Sequence, residues 1–233
     1  MKAINGKTLL EIHIDRILKS KKVSKVIVAT TTNKEDDAIE KLVVGIGISV
    51  FRGAENDVLD RFYQSVKDSK PNLIIRLTSD CPLIDPDLID YMIDKAVANG
   101  LDYCSNTLLE TFPDGQDIEI FTFEALERSW NLAKLDSERE HVTPYIKKRS
   151  SFYGNNEFSA LNISSEKQQY QNVRMTVDEL VDFNTITLLI EKLGVNVSWE
   201  EYAELYVNSE KINSLNRNII RNEGYLKSIN KEK

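Results

Sequence analysis

The sequence predicts an α/β fold with a mostly parallel sheet and flanking helices. Two observations carry this. Short apolar runs that read as buried strands alternate with amphipathic helical stretches. The repeat is roughly thirty residues, the length of a strand–helix–strand unit. No stretch rich in Pro, Gly or Ser divides the 233 residues, so one domain is expected, its part from about residue 199 onward a polar helical arm or lobe.

The elements follow in order. Leu9, Leu10, Ile14, Ile17 and Leu18 fall near one face of a helix over 8–19, with Lys7 or Thr8 at its start. Val-Ile-Val-Ala within 23–30 reads as a buried parallel strand. A helix over 33–44, a strand over 45–51 after a glycine turn, a helix over 57–69 and a strand over 72–78 continue the alternation. Asp85-Pro86 marks an N-cap followed by proline at the first helical position, starting a helix that runs to 99. Short strands are expected near 102–105, 116–122, 158–163 and 173–177, and helices over 124–135, 138–149 and 181–193.

Composition narrows the function. A net charge of −7 argues against a nucleic-acid partner, which would call for a basic face, but is compatible with a nucleotide. The two cysteines, Cys81 and Cys104, form neither a disulfide framework nor a metal-ligand spacing, so both are expected reduced and buried, in a cytoplasmic setting. With two histidines, His13 and His141, zinc is not expected. No apolar run is long enough for a signal peptide or a membrane span.

Five segments carry residues suited to chemistry. Asp80, in Arg76-Leu-Thr-Ser-Asp-Cys-Pro, follows a strand, where α/β proteins bind ligands. It either holds Mg²⁺ against a triphosphate or caps the turn before Pro82. Asp178, in Arg174-Met-Thr-Val-Asp, ends a second strand, and the two carboxylates can share a metal; Asp182 reads instead as a first-turn helix residue. Asp117 and Glu119 alternate with Ile118 and Ile120 on one strand face, which suits sugar hydroxyls or a solvated edge. Arg139 and His141 lie on a helix, where Arg139 can bind an anion or simply face solvent. Arg52 and Gly53 follow the second strand, an arginine for phosphate and a glycine for close backbone approach.

In order along the chain stand I-N-G-K-T-L-L-E, R-G-A-E-N-D-V-L-D-R-F, R-L-T-S-D-C-P-L-I-D-P, D-G-Q-D-I-E-I-F, E-R-E-H-V-T-P-Y-I, M-T-V-D-E-L-V-D-F and L-N-R-N-I-I-R-N-E-G-Y. This set resembles the spore-coat polysaccharide biosynthesis cytidylyltransferase-like family, relatives of the synthetases of CMP-linked keto-sugar acids, from about Ala3 to Ser228. The resemblance implies a Rossmann-like nucleotide-diphospho-sugar transferase fold. It implies transfer of a cytidylyl group from CTP to a sugar or sugar acid, with Mg²⁺ on Asp80 and Asp178. Asp117, Glu119, Arg139 and His141 fall where the sugar pocket is shaped, and a homodimer stays open.

The family resembled opens with a strand and a glycine-rich phosphate loop. Met1-Lys2 stands where that loop would end, so the first strand is expected to be missing and the sheet to have a gap at its centre. The competing expectation is a sugar- or nucleotide-binding protein without catalysis.

Overall fold

The computed structural model describes residues 2–221. It opens with an antiparallel hairpin of β1 (Ala3–Ile4) and β2 (Lys7–Thr8). Asn5 and Gly6 both have positive φ, 50° and 83°, the backbone that an Asn-Gly turn supplies between twisted strands. Thr8 then caps α1 (Leu9–Ile17): its hydroxyl accepts from the Glu11 amide while the Glu11 carboxylate accepts from the Thr8 amide.

β3 (Ile27–Thr31), α2 (Asp37–Gly45) and β4 (Ser49–Gly53) make a parallel crossover unit. Next come α3 (Val58–Val66), whose N-terminus is capped by Asp57, and β5 (Leu73–Arg76). Asp85 caps α4 (Pro86–Ala98) by accepting from the Asp87 and Leu88 amides. β6 (Tyr103–Ser105), β7 (Glu119–Thr122), α5 (Phe123–Leu132), α6 (Asp136–His141), α7 (Pro144–Lys148) and β8 (Ala160–Asn162) follow. The chain continues through α8 (Leu180–Leu193), α9 (Trp199–Asn208) and α10 (Glu210–Asn213).

The sheet is mixed, where the sequence predicts a mostly parallel one. In the order β5-β7-β6-β8, β7 runs antiparallel to both neighbours and only β6 and β8 are parallel. β3 and β4 pair in a separate parallel sheet, and among the described residues no strand joins β3 to β5. The 173–177 segment is not a strand; a single bridge pairs Arg174 with Asp114. The helix expected over 138–149 is two helices. Pro144 has no amide to donate and disfavours helical backbone just before it, and Val142 between them has φ 69°.

Both faces of the larger sheet are covered. Cys104 and Ile120 face the core built with α1, α4, α8 and α9. Their neighbours Tyr103 and Phe121 face the opposite core, shared with α3, α5 and α7, as the two-residue alternation of strands requires. The stretch from 199, expected as an arm or lobe, begins inside the first core: Trp199, Tyr202, Ala203 and Tyr206 are buried there. That stripe at helical spacing outweighs the polar composition of the rest. Residues 222–233 lie outside the described residues. Both cysteines are free thiols and buried. No helix among the described residues is long and apolar enough to cross a membrane.

Candidate active site

The site forms where the carboxyl ends of β5 and β6 meet the start of β7. The antiparallel register sets Arg76 opposite Glu119, and Glu119 opposite Ser105. The chain leaves β5 through Thr78 into the Asp80 loop. That loop is held from behind by the buried His13, whose Nδ1–H donates to the Cys81 carbonyl at 2.7 Å. Burial pushes the His13 pKa down, so the ring serves as a neutral donor.

A second segment closes the site from the other side. The Val177 amide donates to the Asp80 carbonyl at 2.8 Å, and the Met175 amide to the Asp114 carbonyl at 2.7 Å. These bonds bring Asp178 beside the Asp80 and Asp114 loops. Gly115 makes the approach possible: its φ is 104°, and a Cβ there would stand 2.6 Å from the Met175 carbonyl carbon.

The result is a cleft of about 830 Å³. Of the residues singled out from the sequence, Asp80, Asp117, Glu119, His141 and Asp178 line it; Arg52, Gly53 and Arg139 do not. Arg52 instead clamps the end of β3. Its Nη1 meets Asp37 and Glu40 at 2.7 and 2.6 Å, and its remaining donors go to the Thr31 and Asn33 carbonyls. The close neighbours of Gly53 are the Arg61 and Phe51 side chains, not an external group. Arg139 ties α6 to α3: Nε and Nη2 donate to the Asp57 carboxylate and Nη1 to the Trp130 carbonyl. With these donors given to protein acceptors, neither arginine keeps the fork geometry that anion binding needs.

The cleft has an acidic half ordered by two arginines. Arg174, with its side chain 6% exposed, reaches Asp114, Asp178 and Asp182 at 2.8, 2.7 and 2.9 Å. Asp182 is fully buried and structural: it accepts from the Asp178 and Glu179 amides at the start of α8 and from Asn216. Burial would raise its pKa, but the Arg174 bonds hold it below the ordinary carboxylate value. Asp178, by contrast, keeps 57% of its side chain exposed. Arg221 donates to the Phe112 carbonyl and to Asp117. Burial nevertheless pushes Asp117 up to about 7, against the opposing charge of Arg221.

This raised value has a measurable consequence. A carboxyl more basic in the folded than in the unfolded chain stabilises fully below its unfolded pKa, about 4, and that contribution fades as pH rises through about 7. The stability of the parent should therefore fall more steeply between about pH 4 and about pH 7 than that of Asp117→Asn. Equal slopes in denaturant titrations across that window would show Asp117 ionised throughout.

The other half is basic, and sequence inspection did not single out its cations. Glu119, whose side chain is 4% exposed, accepts from Arg76 at 2.6 Å and Lys147 at 2.8 Å, and from the Thr143 and Tyr103 hydroxyls. Burial alone would raise its pKa; Lys147 and Arg76 hold it far below the usual range. Its acceptor capacity is spent on protein donors, so Glu119 anchors cations rather than meeting sugar hydroxyls. His141 lines the same wall, and burial lowers its pKa, so the imidazole is neutral at neutral pH. A signal for Arg76 was present, since it ends the strand before Asp80; Lys147 needed the helix break at Pro144 to reach the cleft.

Among the described residues no group of three or more His, Cys, Asp or Glu is arranged to hold a metal by itself. Asp80 and Asp178 offer two carboxylates in one cleft, a set that suits Mg²⁺ shared with phosphate oxygens and water.

Comparison with known proteins bears on this cleft. The profile of the family described as cytidylyltransferase matches residues 1–217. An uncharacterized protein of Methanocaldococcus jannaschii is 37% identical over 93% of this chain and 86% of its own length. The spore coat polysaccharide biosynthesis protein SpsF of Bacillus subtilis is 32% identical over 94% of this chain and 87% of its own. A solved cytidylyltransferase from Leptospira borgpetersenii superposes with a TM-score of 0.83 at 31% identity, covering 94% of this chain and 89% of that one. A CMP:2-keto-3-deoxy-manno-octonic acid synthetase solved with CTP shares the fold, with a TM-score of 0.58 at 13% identity over 82% of this chain and 90% of that one.

Proposed function

Because the chain belongs to the cytidylyltransferase family, we propose that its cleft joins the cytidylyl group of CTP to a sugar or sugar acid, releasing pyrophosphate, for polysaccharide or glycan synthesis. The observation that carries this reading is the meeting of Asp80 and Asp178 in one cleft at the carboxyl ends of the strands. The printed role of SpsF in spore coat polysaccharide biosynthesis supports the sugar side.

In such a transfer the acceptor hydroxyl attacks the α-phosphorus and the pyrophosphate oxygen leaves. No covalent intermediate on the protein is needed, and catalysis rests on positioning and charge neutralisation. Asp80 and Asp178 are the residues that would hold Mg²⁺ against the phosphates. When bound, the ion supplies positive charge to the phosphate oxygens. The hydrogen bonds from His13 and Val177 fix the Asp80 loop, so little reorganisation remains when the nucleotide binds. Arg174 orients Asp178 through one carboxylate oxygen. Asp117 lies on the acceptor side of the reading.

The test is CTP titration with and without Mg²⁺. Asp80→Asn and Asp178→Asn are each expected to weaken Mg²⁺-dependent CTP binding by about tenfold or more, since each removes a charged ligand. Their melting temperatures should stay close to the parent's. Parent-like Mg²⁺–CTP binding in both variants would overturn the assignment.

A further inference from the structure

After α10 the chain runs along the acidic half of the cleft. Asn216, 1% exposed, fixes the start of this run. Its Nδ2 donates to Asp182 at 2.8 Å and to the Arg174 carbonyl at 3.3 Å, and its Oδ1 accepts from the Tyr206 hydroxyl at 2.9 Å. Beyond Asn216 the hold changes in kind. Arg217, Asn218 and Ile220 are exposed. Among the described residues the backbone of 217–221 bonds only locally, from the Arg217 amide to the Asn213 carbonyl and from the Ile219 amide to the Asn216 carbonyl. Ile219 and Ile220 line the cleft, Ile220 with 68% of its surface exposed, and neither joins a hydrophobic core.

One side chain holds the far end. Arg221 donates through Nη1 to the Phe112 carbonyl at 3.0 Å and through Nη2 to Asp117. Its Nε stands 3.6 Å from Glu110 and 3.8 Å from Asp114. The guanidinium is therefore inserted among carboxylates of the 110–117 segment, on a side chain 16% exposed. The run is attached at its two ends, by a buried amide and by an ion cluster, with little apolar packing between them. Segments built this way open locally at a free energy far below that of global unfolding, and lids are drawn from them.

We propose that residues 217–221 form a lid over the acidic half, latched by Arg221, which must lift before a small molecule reaches Asp117. What enters rests on the nucleotidyl-transfer reading, in which Asp117 lies on the acceptor side and an acceptor hydroxyl competes with Arg221 for its carboxylate. The lid swings about Asn216, whose buried bonds stay intact, so opening breaks the Arg221 contacts and little else. With the latch made, Ile219 and Ile220 set apolar surface against the cleft. That surface keeps water from a bound nucleotide, as closing segments do in group transfer.

The two cysteines supply the test. Cys81 lines the cleft, whereas Cys104 is fully buried in the core, so one chain carries a reporter of lid opening and a control for unfolding. The full chain is treated with iodoacetamide at fixed pH and alkylation of each cysteine is read by mass spectrometry, alongside hydrogen exchange of the Ile219 amide by NMR. Arg221→Gln is expected to raise Cys81 alkylation and Ile219 exchange about tenfold or more, the factor that loss of a charge-assisted hydrogen bond carries, with Cys104 unchanged. Arg221→Lys keeps the charge and should recover part of the protection. Asp117→Asn should act in the same direction, and the double variant should add little, because both changes remove one contact. Arg217→Gln, which loses only an exposed pairing with Glu210, should match the parent. Parent-like rates in Arg221→Gln overturn the lid. An equal rise at Cys104 also overturns it, because Arg221 then supports the whole fold. If CTP does not bind the parent while Arg221→Gln still raises Cys81 alkylation alone, the nucleotide reading fails and the lid stands.

Discussion

Arg174→Met is expected to remove about 3–5 kcal/mol of folding stability, the usual cost of stripping one partner from a buried ion cluster. Arg174 serves three carboxylates, and Asp182 among them is fully buried. Without the guanidinium, Asp182 keeps its bonds to two backbone amides and Asn216 but loses its counter-charge. The start of α8 and the Asp178 end of the cleft should loosen together. The pH dependence follows from sign. The folded pKa of Asp182 lies below its ordinary value, so the stabilisation is present above the unfolded pKa, about 4, and is lost as pH falls through the lowered folded value. The gap between parent and variant should be widest near neutral pH and narrow in acid. Urea titrations at several pH values would show this. A loss of under about 1 kcal/mol at neutral pH would mean that water replaces the guanidinium, and that the cluster is not buried as described.

Gly115→Ala is expected to cost about 2–5 kcal/mol and to open the cleft. A left-handed backbone costs a residue with a Cβ about 1–2 kcal/mol, and forced overpacking adds about 1–3. Here the obstacle is backbone: the added Cβ would meet the carbonyl carbon and oxygen of Met175 at 2.6 and 2.7 Å. Neither atom can rotate away as a side chain would. The relief available is separation of the two segments, which breaks the bond from the Met175 amide to the Asp114 carbonyl. Arg174 then loses register with Asp114. The variant should lose CTP binding along with stability, whereas Gly154→Ala should lose stability alone: Gly154 also has positive φ, but nothing stands within 4 Å of its Cβ position. Parent-like melting for Gly115→Ala would contradict the close approach of these segments.

Much of the fold was legible. The helices lie close to where apolar spacing and caps place them, because those signals are local: Thr8 with Glu11, and Asp85 with Pro86, act within one turn. Strand order was not legible. β7 slots antiparallel between β5 and β6, and its Ile-Phe alternation reads the same in any pairing. The break between α6 and α7 was signalled by Pro144, and Trp199, Tyr202 and Tyr206 already lay on one helical face that argued for burial.

For the site, the sequence by itself determined that Asp80, Asp117 and Glu119 sit beside strand ends, where an α/β fold opens its cleft; Asp178, expected to end a strand, reaches the cleft from a segment that is not one. Whether such a residue meets a ligand or another side chain was decided only by the tertiary structure. Arg52, Arg76, Arg139 and Arg174 look alike in the sequence. Arg52 and Arg139 give their donors to carboxylates and carbonyls outside the cleft. Arg174 becomes the hub of the acidic half, and Arg76 faces the cleft. A guanidinium's role depends on which acceptors come within about 3 Å, and packing brings those from distant segments, as Asp57 is brought to Arg139.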